Sequence, residues 1–191
     1  MNMPANFKDS LLVIIDMQKA FQLSGAQWEC VGYDDAASKV QQLRKNHPGP
    51  AIWTQFIRDP GEEGMWEAYY DRWDQYRVGP LDPLWQLTLE PEPDDLRVQA
   101  PTFSKWSGQL SELAQDYESI TIVGVATDCC VLSTVFPAVD AGKHVTVVVD
   151  ACAGASQDAH EQSLELLGLL EPMVSLTTTD EILSGLSDTN S

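Results

Sequence analysis

Three short segments of this chain are apolar almost without a break: Leu11-Leu12-Val13-Ile14-Ile15, Ser119-Ile120-Thr121-Ile122-Val123-Gly124-Val125 and His144-Val145-Thr146-Val147-Val148-Val149. A strand with one face in water alternates apolar and polar residues, so continuous β-branched runs of this length must be covered on both faces. Between them the spacing is helical. Ala36, Ala37, Val40 and Leu43 mark a helix over Tyr33–Asn46, which His47-Pro48-Gly49-Pro50 ends. A second helix is expected from about Asp128 to Ala141, with Gly142 as its C-cap, and a third near Gln109 to Asp116. Asp158-Ala159-His160-Glu161 reads as a capping box for a helix ending near Leu170, and Thr178 with Glu181 as a box for a short final helix. The polar tail after Leu186 is expected to fray. Weaker strands are expected at Ala51–Thr54, Leu96–Val98 and Met173–Leu176. Fully covered strands alternating with helices predict a three-layer α/β/α fold: a doubly wound, mainly parallel sheet of about six strands in the order 3-2-1-4-5-6, one domain over residues 1–191.

Residues 57–95 interrupt that alternation. They hold Trp66, Trp73 and Trp85 with Tyr69, Tyr70 and Tyr76, among acids and prolines. The stretch reads as an elaborated connection with a helix around Met65 to Tyr76, serving as a lid or a subunit interface. The charge balance excludes other classes. Eleven Lys and Arg against 29 Asp and Glu give −18, too few cations for a basic nucleic-acid face and the wrong sign for an anionic membrane. No apolar run approaches the ~18 residues of a membrane span, and the first residues lack the basic start and apolar stretch of a signal peptide. Cys30, Cys129, Cys130 and Cys152 form no CxxC and no disulfide ladder. A reduced, cytoplasmic protein with no nucleic-acid or membrane partner is expected.

In a doubly wound sheet, ligands bind beyond the carboxyl ends of the strands where the strand order reverses. There the first and fourth strands are neighbours. The first ends in Asp16, and the fourth runs into Ala126-Thr127-Asp128-Cys129-Cys130-Val131. The topology thus sets a carboxylate beside a thiol at the head of a helix. The free amides and dipole of a helix start favour a thiolate. A nearby carboxylate repels the thiolate but can take its proton. These parts suit nucleophilic acyl transfer. Asp128 and Asp150 read as caps, and Cys30 and Cys152 as structural. The first turn, Asp16-Met17-Gln18-Lys19-Ala20, has no GxGxxG for a pyrophosphate.

The segments LLVIIDMQKAF (Leu11 to Phe21), VGVATDCCVLSTVFPAVDAG (Val123 to Gly142) and VTVVVDACA (Val145 to Ala153), with AIWTQ (Ala51 to Gln55) and PTFSKW (Pro101 to Trp106), resemble the isochorismatase-like cysteine hydrolases. That family includes nicotinamidases and N-carbamoylsarcosine amidase-like and ureidoacrylate amidohydrolase-like enzymes. The resemblance covers most of the chain outside residues 57–95. It implies Asp16 as general base, Cys130 as nucleophile, Cys129 at a variable position, a cis peptide at Val125–Ala126, and an oxyanion hole from the Ala126 and Cys130 N–H groups. The family's lysine lies in a pattern like K-P-T-[YF]-S-A-[FW]. Here Ala100 holds that position and a lysine stands five residues later, so the third catalytic role falls to Lys105. Gln18, Phe21, Trp53, Phe103 and Trp106 are expected around the substrate, with Gln18 steadying the loop after Asp16.

Nicotinamidases carry an Asp-x-His and a further His after strand two. This chain reads Thr54-Gln55-Phe56-Ile57-Arg58-Asp59 there, and His47, His144 and His160 are scattered. No metal and no cofactor are expected. Isochorismatases proper lack the nucleophilic cysteine, so Cys130 points to C–N hydrolysis. The expected protein is a metal-independent cysteine hydrolase acting on a small amide, ureido or carbamoyl substrate through a thioester, and the resemblance implies a homo-oligomer, dimer or tetramer. Two alternatives stay open. One is a catalytically silent binding or assembly module, which Ala100 in the lysine position favours. The other is thiol redox chemistry through Cys129 and Cys130.

Overall fold

The computed structural model describes residues 6–188. Six parallel strands, β1 (Leu11–Ile15), β2 (Ile52–Phe56), β3 (Leu96–Ala100), β4 (Ser119–Val125), β5 (His144–Ala153) and β6 (Val174–Thr177), form one sheet in the order β3-β2-β1-β4-β5-β6. The connecting helices are α1 (Lys19–Gln22), α2 (Tyr33–Asn46), α3 (Met65–Arg72), α4 (Gly108–Leu113), α5 (Leu132–Asp140), α6 (Gln157–Gly168) and α7 (Thr179–Asp188). The period-two geometry of a strand deals successive residues to opposite faces. In β1, Leu12 and Ile14 join Ala36, Val40 and Leu43 of α2 in one core, which α7 also borders through Ile182. Leu11, Val13 and Ile15 join Leu110 of α4, Val135 and Ala138 of α5 and Leu167 of α6 in the other. That division is the three-layer arrangement expected from the uninterrupted apolar runs.

Local chemistry moves several boundaries. β5 continues past Asp150, because its pairing with β4 shifts between Ile122 opposite Val147 and Gly124 opposite Cys152. At that irregularity the Asp150 carboxylate accepts the Thr179 N–H at 2.8 Å and the Thr179 hydroxyl at 3.0 Å, so it holds the first turn of α7. The capping box assigned to Asp158 is not what starts α6. Ser156 is the N-cap, its hydroxyl accepting the Ala159 N–H at 3.1 Å, and Asp158 falls inside the first turn. The Thr178–Glu181 box forms in both directions: Thr178 N–H donates to the Glu181 carboxylate at 2.9 Å and Glu181 N–H to the Thr178 hydroxyl at 3.3 Å. α7 runs two residues beyond Leu186, where fraying was expected, and the remainder of that tail lies outside the described residues. The helix expected from Asp128 opens instead as a π turn over Thr127–Val131, and α5 follows it.

Residues 57–95 fold over the carboxyl end of β1. Thr88 N–H donates to the Met17 carbonyl at 2.9 Å, and Tyr76 donates its hydroxyl to the Ala20 carbonyl at 3.0 Å. Tyr70, Tyr76 and Trp85 are buried, so much of the aromatic content of this stretch is core.

Gly124 brings β1 and β4 together where the strand order reverses. Its φ is +113°, and a Cβ there would overlap the Ile15 carbonyl oxygen of the paired strand. Gly124→Ala is therefore expected to lower stability by more than the ~1–3 kcal/mol of the disfavoured dihedral alone, read as a lower urea midpoint. An unchanged midpoint contradicts the close approach.

Candidate active site

Asp16 follows β1 with a φ of +47°, a left-handed conformation that Asp adopts more readily than most residues. Its side chain is fully buried. Oδ1 accepts the Thr54 hydroxyl of β2 at 2.6 Å, and the same hydroxyl oxygen accepts the Asp16 N–H at 3.2 Å. Oδ2 lies 3.0 Å from Lys105 Nζ, which is also fully buried. The approach is ionic rather than a directed hydrogen bond: Oδ2 receives no hydrogen bond of good geometry. The Lys105 ammonium donates to the Thr102 carbonyl at 2.7 Å and lies 4.6 Å above the Phe56 ring. A buried carboxylate oxygen with an unused lone pair and a cation beside it can receive a proton and return it.

Ala100, in the position where the resembling motif has lysine, ends β3 with its small side chain buried. Lys105 reaches Asp16 from the following segment, and its backbone explains how. Lys105 N–H donates to Thr134 Oγ1 at 2.9 Å, and that hydroxyl donates to the Cys130 carbonyl at 2.7 Å. One threonine of α5 thus ties the lysine segment to the cysteine turn.

Cys130 sits in the π turn after the cis Val125–Ala126 peptide. The Ala126 carbonyl accepts the N–H groups of Cys129, at 3.1 Å, and Val131, at 3.0 Å, and the Cys130 N–H between them does not bond to it. Thr127 fixes the turn from the other side, 2.8 Å from His160 Nδ1 of α6. The Cys130 thiol is pushed well above its ordinary range by contact with the Cys129 thiol, then by burial and the Asp16 carboxylate, while Lys105 opposes them. These neighbours favour the protonated thiol, against the pull of the helix start toward a thiolate. Alkylation of Cys130 by iodoacetamide should climb with pH through 9 without a plateau below it, followed by peptide mapping. A plateau reached near pH 7 would contradict this resting state.

Cys130 forms part of the lining of a cavity of about 170 Å³. Its wall is aromatic, from Phe21, Trp28, Phe56, Tyr69, Trp73 and Phe103, and its polar lining includes Gln27, Asp128 and the thiols of Cys30 and Cys129. Of the residues expected around a substrate, Phe21 and Phe103 are in this lining, as is Ala126 of the expected oxyanion hole, while Val125 is buried at the end of β4. Gln18, Trp53 and Trp106 are not in the lining. Gln18 braces the loops, donating to the carbonyls of Phe56 at 3.0 Å and Trp85 at 2.7 Å and accepting the Phe56 N–H at 2.8 Å. Trp53 is buried in β2, its indole N–H donating to Asp95 at 2.8 Å, because the large indole fills the core of its sheet face. Trp106 packs against the opposite core. Asp16 and Lys105 are fully buried and also outside the lining.

Sequence reasoning missed Trp28, Phe56, Tyr69, Trp73 and Cys30 as wall residues. The aromatic density of residues 57–95 was the available signal for Tyr69 and Trp73. Trp28 carried none, since it reaches the site by stacking on Tyr76 at 3.8 Å between ring centroids. After β2, Arg58 pairs with Glu62 at 2.6 Å. Among the described residues no three His, Cys, Asp or Glu side chains converge as metal ligands would. No helix among them is long and apolar enough to cross a membrane.

Comparison with known proteins agrees with this architecture. The family model described as the isochorismatase domain matches residues 10–181. A protein of Arabidopsis thaliana named a probable inactive nicotinamidase is 27% identical over 177 residues, 85% of this chain and 89% of its own length. Isochorismatase domain-containing protein 2 of Xenopus laevis is 33% identical over 155 residues, 78% of this chain and 63% of the frog protein. A solved cysteine hydrolase from Pseudomonas syringae pv. phaseolicola superposes with a TM-score of 0.83 at 22% identity, covering 98% of this chain and 96% of the other.

Proposed function

This chain belongs to the isochorismatase family, and from that premise we propose that it is a metal-independent cysteine hydrolase, cleaving a C–N bond of a small amide, ureido or carbamoyl compound through a thioester on Cys130. The observation that carries the reading is the buried Asp16–Lys105 pair, with Asp16 Oδ2 lacking a hydrogen bond, at the strand switch beside the cysteine turn. Asp16 Oδ2 takes the thiol proton as Cys130 Sγ attacks the carbonyl carbon. The deprotonation that this attack requires is coupled to bond formation, so a resting thiol is no obstacle: the proton leaves as the sulfur is consumed. Lys105 balances the negative charge that then lies on the substrate oxygen. The Ala126 and Cys130 N–H groups hold that oxygen. Collapse expels the amine, which takes the proton from Asp16, and leaves the acyl group on sulfur. Asp16 then deprotonates a water that attacks the thioester, releasing the acid and returning the proton to Sγ.

A second reading has two observations behind it, Ala100 in the lysine position and the name of the Arabidopsis relative. It makes the chain a silent module that binds a small molecule in the same cavity. A panel of primary amides, ureas and carbamoyl compounds, assayed for released amine or ammonia, separates the two. Turnover that Asp16→Asn abolishes supports the hydrolase. Binding without turnover across the panel supports the silent module.

A further inference from the structure

Resting on the amidohydrolase reading, we propose that the pocket selects a compact amide bearing a methylated ammonium group, and that Asp128 sets this selection. The charge of the lining is one-sided. Asp128 supplies its carboxylate, and no lysine, arginine or histidine takes part in the lining. Asp128 Oδ1 accepts the Ala155 N–H at 2.8 Å, while among the described contacts Oδ2 has neither a hydrogen bond nor an ion pair. The basic groups are committed elsewhere: Lys105 to Asp16 at 3.0 Å, the exposed Arg72 to the Trp73 ring at 4.9 Å, and His160, the one beside Asp128, to the Thr127 hydroxyl at 2.8 Å, with burial disfavouring its charged form. An anionic substrate would meet an unneutralised carboxylate.

The walls point the same way. Of the six aromatic residues in the lining, Phe56 already carries Lys105 Nζ at 4.6 Å over its ring, Trp73 carries Arg72 at 4.9 Å and Trp28 is stacked on Tyr76 at 3.8 Å, so Phe21, Tyr69 and Phe103 are the rings that remain to attract a cation. A protonated primary amine would bring three N–H donors that each need an acceptor. The lining offers few acceptors beside Asp128, so such an amine would leave buried donors unpaired at a cost. A methylated ammonium carries its charge without donors and presents apolar methyl groups to the rings. Asp128 and Cys130 stand two residues apart within the same π turn and both line the cavity, so the cation would lie a short distance from the scissile carbonyl.

Three primary amides test this: trimethylammonioacetamide, its neutral isostere 3,3-dimethylbutanamide, and the smaller carboxylate malonamate. Two readouts are used, kcat/KM and protection of Cys130 against iodoacetamide. The cation should be preferred over the neutral isostere by about tenfold in both, with malonamate neither hydrolysed nor protective. Asp128→Asn, which keeps an acceptor for Ala155, should lower the cation-to-neutral ratio several-fold, the aromatic wall keeping part of the preference. Equal or better performance of the neutral isostere in the wild type overturns the proposal, whether or not the variant folds, and so does an unchanged ratio in a folded Asp128→Asn. Preferential protection by the cation with no turnover of any compound supports the selection while counting against hydrolysis.

Discussion

Cys130→Ser is expected to lower kcat/KM by at least about 1,000-fold on any amide the wild type hydrolyses, and to leave the fold intact. The size follows from what the sulfur does. Loss of the attacking atom removes the covalent path, and the remaining binding groups and oxyanion donors retain only a fraction of the acceleration. The fold survives because serine is smaller than cysteine and leaves the Asp16–Lys105 pair intact. The paired measurement is amide turnover and the urea midpoint. A variant that keeps more than a tenth of the activity would remove Cys130 from the mechanism. Cys129→Ser should be far milder, because Cys129 acts on its neighbour through contact and not through bond formation.

Lys105→Met carries the largest expected effect on stability. Both members of the Asp16–Lys105 pair have no solvent exposure, so removing the cation leaves a carboxylate stranded in the core. Breaking a buried pair from one side costs about 3–5 kcal/mol, whereas replacing both members together costs far less. The double variant Asp16→Asn, Lys105→Met should therefore recover most of the lost urea stability and still show no turnover. The single variant loses activity as well, since nothing then balances the charge that forms on the substrate oxygen. A Lys105→Met protein within about 1 kcal/mol of wild type would mean that the pair is hydrated and the core picture wrong.

The parts of this protein legible in the sequence are those governed by short-range periodicity. β1 and β4 stand where their apolar runs are, and α2 ends where Pro48 cuts it off. The strand order then puts Asp16 beside the cysteine turn, so that juxtaposition could be read before any coordinates. What escaped was set by distant partners. Nothing local to Asp150 says that β5 will slip its register and run on to Ala153. Ser156 displaced Asp158 as the cap because the chain approaches α6 extended at Ser156, which aims its hydroxyl at the Ala159 N–H. Trp53 looked like a pocket wall from its place at the end of a short strand, yet Asp95, 42 residues away, holds its indole in the core. The true wall comes from Trp28, Tyr69 and Trp73, on segments whose meeting depends on the fold of residues 57–95.

The central claim is that a bond forms between Cys130 Sγ and the carbonyl carbon of the substrate. Rapid acid quench during turnover of a hydrolysed amide, followed by intact mass and peptide mapping, tests it most directly. The account predicts a protein heavier by the acyl group, with the added mass on the peptide containing Cys130, removed by hydroxylamine and absent from Cys130→Ser. Turnover at full rate with no added mass at any quench time, or with the acyl group on another residue, would contradict it.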